Sequence, residues 1–239
     1  MIKAVIVEDS RLARNELKEL LKEHQDITLV GEAENVDDGL ELIQKEQPEL
    51  LFLDINMPEK DGFELLEMLD EVPITVFTTA FDEYAIKSFE YNALDYLLKP
   101  ISEERFAGAI DKVKKQLEQN PEVSDREKLT EQSQIFIKDG ESCWLVKIGD
   151  ISHFEIVGNY TRVFFRGERP LLYKSLNQIE EKLPEASFFR VNRQQIVNTN
   201  YIGNVVPWFN GKLKLTMQNG EEIEVSRRQS YLFKDKMSF

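Results

Sequence analysis

Apolar residues follow two rhythms along this chain, and the rhythm changes near its middle. Through the first half, short apolar runs alternate with stretches in which apolar residues recur every three or four positions. The runs are Ala4–Val7, Ile27–Gly31, Leu50–Leu53, Ile74–Phe77 and Ala93–Leu98. Such runs, alternating with helical segments, read as strands buried on both faces of a parallel sheet. Ser10 caps an expected helix with Ala13, Leu17, Leu20 and Leu21 on one side. Val36, Leu40 and Ile43 mark the next stripe, and Leu65, Leu66 and Leu69 follow the Asp61-Gly62 turn. A further helix is expected around Tyr84–Tyr91. A last one follows Ser102, with Glu103 and Glu104 in its favourable first turn and Phe106, Ile110, Val113 and Leu117 buried. Five strand–helix units predict a doubly wound α/β sheet of flavodoxin-like order, 2-1-3-4-5.

Residues 120–133 are polar, contain a proline and lack an apolar face, so they read as a linker. Beyond them the period falls from 3.6 to 2. Strands are expected over 135–137, 143–148, 151–156, 161–166, 171–173, 191–197, 205–207, 212–217 and 222–225. Asn219-Gly220 is a hairpin signal. Ser175 and Gln178 form a capping box that opens a helix to about Leu183, and Ser226 opens a final helix. The organisation predicted is an α/β domain over 1–119, a linker over 120–133 and a mostly β domain over 134–239.

Each of four apolar runs in the first half delivers a polar residue at its end: Glu8-Asp9, Asp54, Thr78-Thr79 and Lys99. In an open α/β sheet, ligands bind outside the carboxyl ends of the strands. Asp9, Asp54, Thr79 and Lys99 should therefore meet on one rim. Carboxylates, a hydroxyl and an ammonium together suit a divalent cation and a phosphoryl group.

These residues, with Asn56, Met57-Pro58, Asp61-Gly62, Ala80, Tyr96 and Pro100, resemble the receiver domain of two-component response regulators across residues 1–119. The resemblance implies that Asp54 accepts a phosphoryl group from a partner sensor histidine kinase. It implies Mg2+ held by Asp9, Asp54 and the Asn56 backbone carbonyl, with Glu8 acting mainly through water. Lys99 would pair with the phosphoryl oxygens, aimed by a cis Lys99-Pro100 bond, and Thr79 would donate its hydroxyl. Tyr96 would turn inward as Thr79 moves, repacking the face made by the helix near 84–91, the fifth strand and the helix after Ser102. Pairing through that face would give a homodimer on phosphorylation. Asn56 and Phe81, each two residues past a rim residue, would tune dephosphorylation. A magnesium phosphatase of the haloacid dehalogenase type would need a second Asp where Asn56 stands.

The second half resembles the LytTR DNA-binding domain of LytR/AlgR-family response regulators. The matching residues are Ile151–Glu155, Gly158–Thr161, Ser175-Leu176, Leu183-Pro184, Phe188–Arg193, Val197-Asn198, Tyr201-Ile202 and Val225–Arg228. Asn192 stands where that family commonly has His. The resemblance implies promoter DNA as a partner, met by a loop of Asn159, Tyr160 and Thr161 and by Arg193 and Arg228. Arginine forks suit guanine edges or phosphates. Arg190 and Lys174 are expected to meet phosphates.

Charge fits this division. Residues 1–120 carry 13 Lys+Arg against 28 Asp+Glu, a net of −15, whereas 137–239 carry 15 against 12, a net of +3. The acidic half would repel nucleic acid; the other need not. The modest +3 leaves a protein- or RNA-binding output as the rival reading. Cys143 is the one cysteine, so no intramolecular disulfide forms, and a buried strand position is expected for it. The start resembles no signal peptide, and no apolar run is long enough to span a bilayer. A cytoplasmic transcriptional regulator without membrane insertion is the expectation.

Overall fold

The computed structural model describes residues 1–80, 95–118, 129–140 and 142–237. Phe81, the helix expected around 84–91 and linker residues 120–128 lie outside the described residues. Two compact units are present. One comprises Met1–Asp125 with Gln134–Phe136 and Gly140–Leu145; the other comprises Arg126–Ser133, Ile137–Asp139 and Val146–Phe239.

In the first unit, β1 (Ile2–Val7), β2 (Ile27–Ala33), β3 (Leu50–Asp54), β4 (Ile74–Thr79) and β5 (Asp95–Leu98) form a parallel sheet in the order β2-β1-β3-β4-β5. Its helices among the described residues are α1 (Arg11–Leu21), α2 (Val36–Glu46), α3 (Gly62–Met68) and α4 (Glu103–Glu118). Every residue of β3 is buried. Both of its faces are covered, which is why its sequence shows no polar alternation. One face packs Val5, Val7, Leu51, Leu53 and Phe77 against Val36, Ile43, Leu65 and Leu66. The other packs Ala4, Ile6, Leu50, Phe52 and Val76 against Leu17, Leu21, Phe106, Ile110 and Val113. The first core also takes in Phe136, parallel to Phe63 at 5.9 Å, and the buried Cys143.

Helix starts are fixed by side chains. Ser10 accepts from the Ala13 amide, and Asn35 accepts from the Asp38 amide at 2.9 Å. Asp61 and Glu64 make a reciprocal capping box, at 2.8 and 2.7 Å. Each such cap stabilises by about 1 kcal/mol. Asp95 on β5 pairs with Lys112 at 2.9 Å and Arg105 at 3.1 Å, tying α4 to the sheet.

The remaining part is mostly β. Strands β6 (Gln134–Asp139) and β7 (Ser142–Lys147) pair with each other. Next, β8 (Ile151–Val157), β9 (Tyr160–Phe165), β10 (Leu171–Leu172), β11 (Phe188–Arg190) and β12 (Gln195–Asn198) form a sheet in the order β10-β9-β8-β12-β11. A three-stranded sheet joins β13 (Ile202–Pro207), β14 (Leu213–Met217) and β15 (Glu222–Val225). Helix α5 (Leu176–Lys182) carries the expected Ser175–Gln178 capping box, and α6 (Arg227–Met237) follows Ser226. Val191, Val197, Leu213, Leu215, Met217, Ile223, Val225 and Phe233 make one core of this unit.

One expected element is corrected. Residues 191–197 are not a single strand. β11 ends at Arg190, and a tight turn over 191–194 leads into β12. The Asn192 side chain accepts from the Gln194 amide at 2.8 Å, and the Val191 amide donates to the Gln195 carbonyl at 3.1 Å. A side-chain acceptor two residues back offers the backbone an alternative to the ladder. Both histidines are packing groups. His24 lies against Phe106, and His153 is fully buried, stacked on Phe164 at 3.8 Å. Burial pushes the His153 pKa down.

Gly62 positions the end of β3. A Cβ there would stand 2.3 Å from the Asp54 carbonyl oxygen, and its amide donates to the Ile55 carbonyl at 2.9 Å. Gly62→Ala must therefore push the β3 end and α3 apart. A loss of about 1–3 kcal/mol is expected from such overpacking. Urea denaturation of wild type and variant checks it.

Candidate functional site

The carboxyl ends of four strands converge. The Glu8, Asp9 and Asp54 side chains each place an oxygen within 4.8 Å of the others. Glu8 and Asp54 are buried, while Asp9 is exposed. Lys99, one residue past β5, sets its Nζ 3.0 Å from Asp54 Oδ2 and 2.5 Å from Glu8 Oε2. The other Asp54 oxygen accepts from the Asn56 amide at 3.2 Å. The Lys99–Pro100 bond is cis.

The two threonines at the end of β4 do different work. Thr78 donates to Glu8 Oε2 at 3.4 Å, and Thr79 donates to Asn56 Oδ1 at 3.2 Å. Burial raises the pKa of Glu8; the Lys99 bond pulls it down, and the Asp54 charge pushes it up again. Glu8 and Asp54 thus share one ammonium, and with Asp9 beside them they make a donor set that fits a hard divalent cation. Asn56 and Thr79 border this set. Tyr96 is buried in the core beside Phe77 and Leu53.

Arg14 escaped the sequence reading. It sits within the helical stripe of α1, at 4% exposure. Its Nη1 donates to the carbonyls of Glu8 at 2.6 Å and Asp9 at 3.1 Å, and its Nη2 pairs with Glu34. It clamps the loop that presents both carboxylates. An arginine in the first turn after Asp9, on the face shared with Leu17, was the available signal.

In the second unit, three loops are joined by hydrogen bonds. The β8–β9 turn carries Asn159 and Tyr160, both exposed. Next to it, the Ile156 amide donates to the Gln194 carbonyl at 2.9 Å, bringing in the 191–194 turn. That turn reaches the start of α6. The Ser226 amide donates to the Val191 carbonyl at 2.9 Å, and Asn192 donates to the Glu224 carbonyl at 2.9 Å. Arg193 and Arg228 are exposed, and among the described residues neither guanidinium has a partner.

Two expectations for this surface are corrected. Thr161 is 1% exposed, and its hydroxyl donates to the Lys174 carbonyl at 2.7 Å. It braces the loop instead of facing outward, because β-strand alternation turns it inward after Tyr160. Arg190 donates to the carbonyls of Asn192 and Arg193, both at 2.7 Å, and pairs with Glu180 at 2.9 Å. Its donors are spent on holding the Arg193 turn. Lys174 is half-buried.

A flavodoxin-like unit with an acidic, lysine-capped rim, joined to a β-rich unit presenting arginines, defines a receiver coupled to a binding domain. The response regulator receiver domain family matches residues 4–111, and the LytTr DNA-binding domain family matches residues 141–238. The Sensory transduction protein LytT of Bacillus anthracis is 39% identical over 234 residues, covering 95% of each chain. The Transcriptional regulatory protein YpdB of Escherichia coli O6:H1 is 34% identical over 243 residues, covering 99% of each. The response regulatory domain of protein mrkE from Klebsiella pneumoniae is 37% identical, with a TM-score of 0.46; the match covers 50% of this chain and 100% of that one. The chain belongs to the LytR/AlgR family of two-component response regulators. It is a DNA-binding regulator and not a metabolic enzyme. Among the described residues no helix is long and apolar enough to cross a membrane.

Arg14→Met keeps most of the side-chain volume and removes the clamp. A loss of about 1.5–3 kcal/mol is expected, the range for hydrogen bonds from a charged group. Glu34→Gln, at a partner whose side chain is 70% exposed, should cost less than about 1 kcal/mol. Equal losses in urea denaturation would refute the clamp.

Proposed function

We propose that Asp54 is the phosphoacceptor of a two-component relay and that the phosphorylated chain regulates transcription by binding promoter DNA. The convergence of Glu8, Asp9, Asp54 and Lys99 on one rim is the observation that carries this reading. A partner histidine kinase presents a phosphohistidine. An Asp54 carboxylate oxygen attacks phosphorus, the phosphorus–nitrogen bond breaks, and the imidazole leaves with the bonding pair. Lys99 lies close enough to move with the charge from the carboxylates to the phosphoryl oxygens. Thr79 is released from Asn56 to donate to the same group. Asp9, Asp54 and the Asn56 carbonyl would hold Mg2+, with Glu8 linked through water. The cation would neutralise charge on the transferring oxygens. Slow hydrolysis of the acyl phosphate, tuned by Asn56 and Phe81, would end the signal.

Tyr96 and Thr79 would couple the rim to the face around β5 and α4, where pairing gives a dimer. Such coupling is a two-state shift biased by local charge. On the output side, Arg193 and Arg228 would read base edges, Asn159 and Tyr160 would dock on the duplex, and Lys174 would meet phosphate. Thr161 and Arg190 act by holding those loops. The whole system belongs in the cytoplasm, where kinase and promoter are both accessible.

Incubation with acetyl phosphate and Mg2+ should add one phosphoryl mass to the wild type and none to Asp54→Ala. An equal mass gain in both would exclude Asp54 as the acceptor.

Arg193→Ala and Arg228→Ala should each cost roughly 1–3 kcal/mol of DNA binding and relax specificity at one position. Lys174→Ala should weaken all sequences alike and flatten the salt dependence. Gel-shift titrations against a scrambled duplex separate these outcomes; wild-type affinity in both arginine variants would refute the surface.

A further inference from the structure

The β13–β14 turn carries Trp208-Phe209-Asn210-Gly211. Phe209 is 72% exposed and Trp208 39% exposed, with their rings edge-to-face at 4.8 Å. Single exposed apolar residues are ordinary on protein surfaces. Here two adjacent aromatic rings stand on a fixed turn. The Trp208 amide donates to the Lys212 carbonyl at 2.9 Å, and the Lys212 amide donates to the Phe209 carbonyl at 3.2 Å. Asn210 and Gly211 both hold left-handed backbone, at φ 56° and 75°. The turn is therefore closed on itself and presents Phe209 at its tip.

Three basic residues surround it, two of them paired with carboxylates. Lys214 Nζ lies 4.4 Å from the centre of the Trp208 ring. Lys212 and Lys214 pair with Glu224 and Glu222, whereas Arg227 has no carboxylate partner among the described residues. A Cβ on Gly211 would stand 4.0 Å from Cγ and Nε of Arg227. Leu213 faces Val225 across the β14–β15 ladder, so this turn adjoins the start of α6. The knuckle thus lies beside Arg227, at the strand end that leads into Arg228.

We propose that the Trp208–Phe209 knuckle is an additional DNA-contacting element: Phe209 packs as an apolar wedge against the duplex beside the Arg228 contact, with Arg227 on the adjacent phosphate. This rests on the DNA-binding reading above. An unpaired guanidinium beside an exposed ring suits a phosphate next to the apolar groups, sugars and thymine methyls, of a groove. Apolar wedges flanked by cations are a general way of gripping a duplex next to a groove contact.

The test uses the full-length chain and a duplex that the phosphorylated wild type selects from a random pool. Phe209→Ala should weaken binding about 10-fold while leaving the salt slope unchanged, because no phosphate contact is lost. Arg227→Ala should lower that slope. In a Trp144→Phe background, emission from Trp208 should change on titration with the same duplex. Far-ultraviolet circular dichroism should match wild type, since Phe209 is exposed. Wild-type affinity in Phe209→Ala with unchanged Trp208 emission, while Arg228→Ala is weakened, overturns the knuckle alone. Failure of the wild type to select any duplex overturns the DNA-binding reading and the knuckle with it.

Discussion

The Lys99 ammonium, held between Glu8 and Asp54, is the contact on which the first unit's chemistry depends. Two buried carboxylates with oxygens within 4.8 Å of each other are costly in a low-dielectric setting. Lys99 offsets that cost in the resting protein. It also makes the resting site responsive, because its partners change when charge is added at Asp54. Thr78 and Ser10 add hydrogen bonds to Glu8, so the carboxylate is fixed from three sides. The sheet explains why this is possible. Parallel strands end at the same edge, so each delivers its polar residue to one rim.

That edge is held open by elements away from the chemistry. Gly62 lets α3 begin against the Asp54 carbonyl, and Arg14 ties the Glu8 and Asp9 carbonyls to α1. The same division between presenting and supporting residues recurs in the β-rich unit. Arg190 spends its guanidinium on the Asn192 and Arg193 carbonyls, leaving Arg193 outside. Thr161 holds the Lys174 carbonyl, leaving Tyr160 outside. In each pair the supporting residue has the chemical type of a contact residue, and only its hydrogen bonds distinguish the two roles.

This is also where the limit of sequence reading falls. The parallel sheet, its strand order, the rim residues and the Ser10 and Ser175 caps were legible, because apolar runs and strand-end polarity are local signals. Arg14 was not, since a periodicity count treats a charged residue inside an apolar stripe as solvent-facing. The break at 191–194 was hidden because Val191, Ile196 and Val197 are all buried and strand-like. Only the Asn192 side chain, competing for the Gln194 amide, shows that the strand ends. Arg190 and Thr161 were assigned by type to a surface from which their own partners withdraw them.

The β-rich unit follows a constraint of its own. A small three-stranded sheet buries one face on Phe233 and Val191, and its strand ends must be tied elsewhere. The Ser226 amide bond to Val191 and the Asn192 bond to Glu224 make that tie at one end. The exposed arginines stand at this junction, as does the turn bearing Phe209. A surface built where several backbone segments are mutually pinned can hold long side chains in place with little loss of entropy on binding. Arginines on a free loop would lack that advantage. The hydrogen bonds that fix the junction are thus the structural reason for reading these residues as one surface.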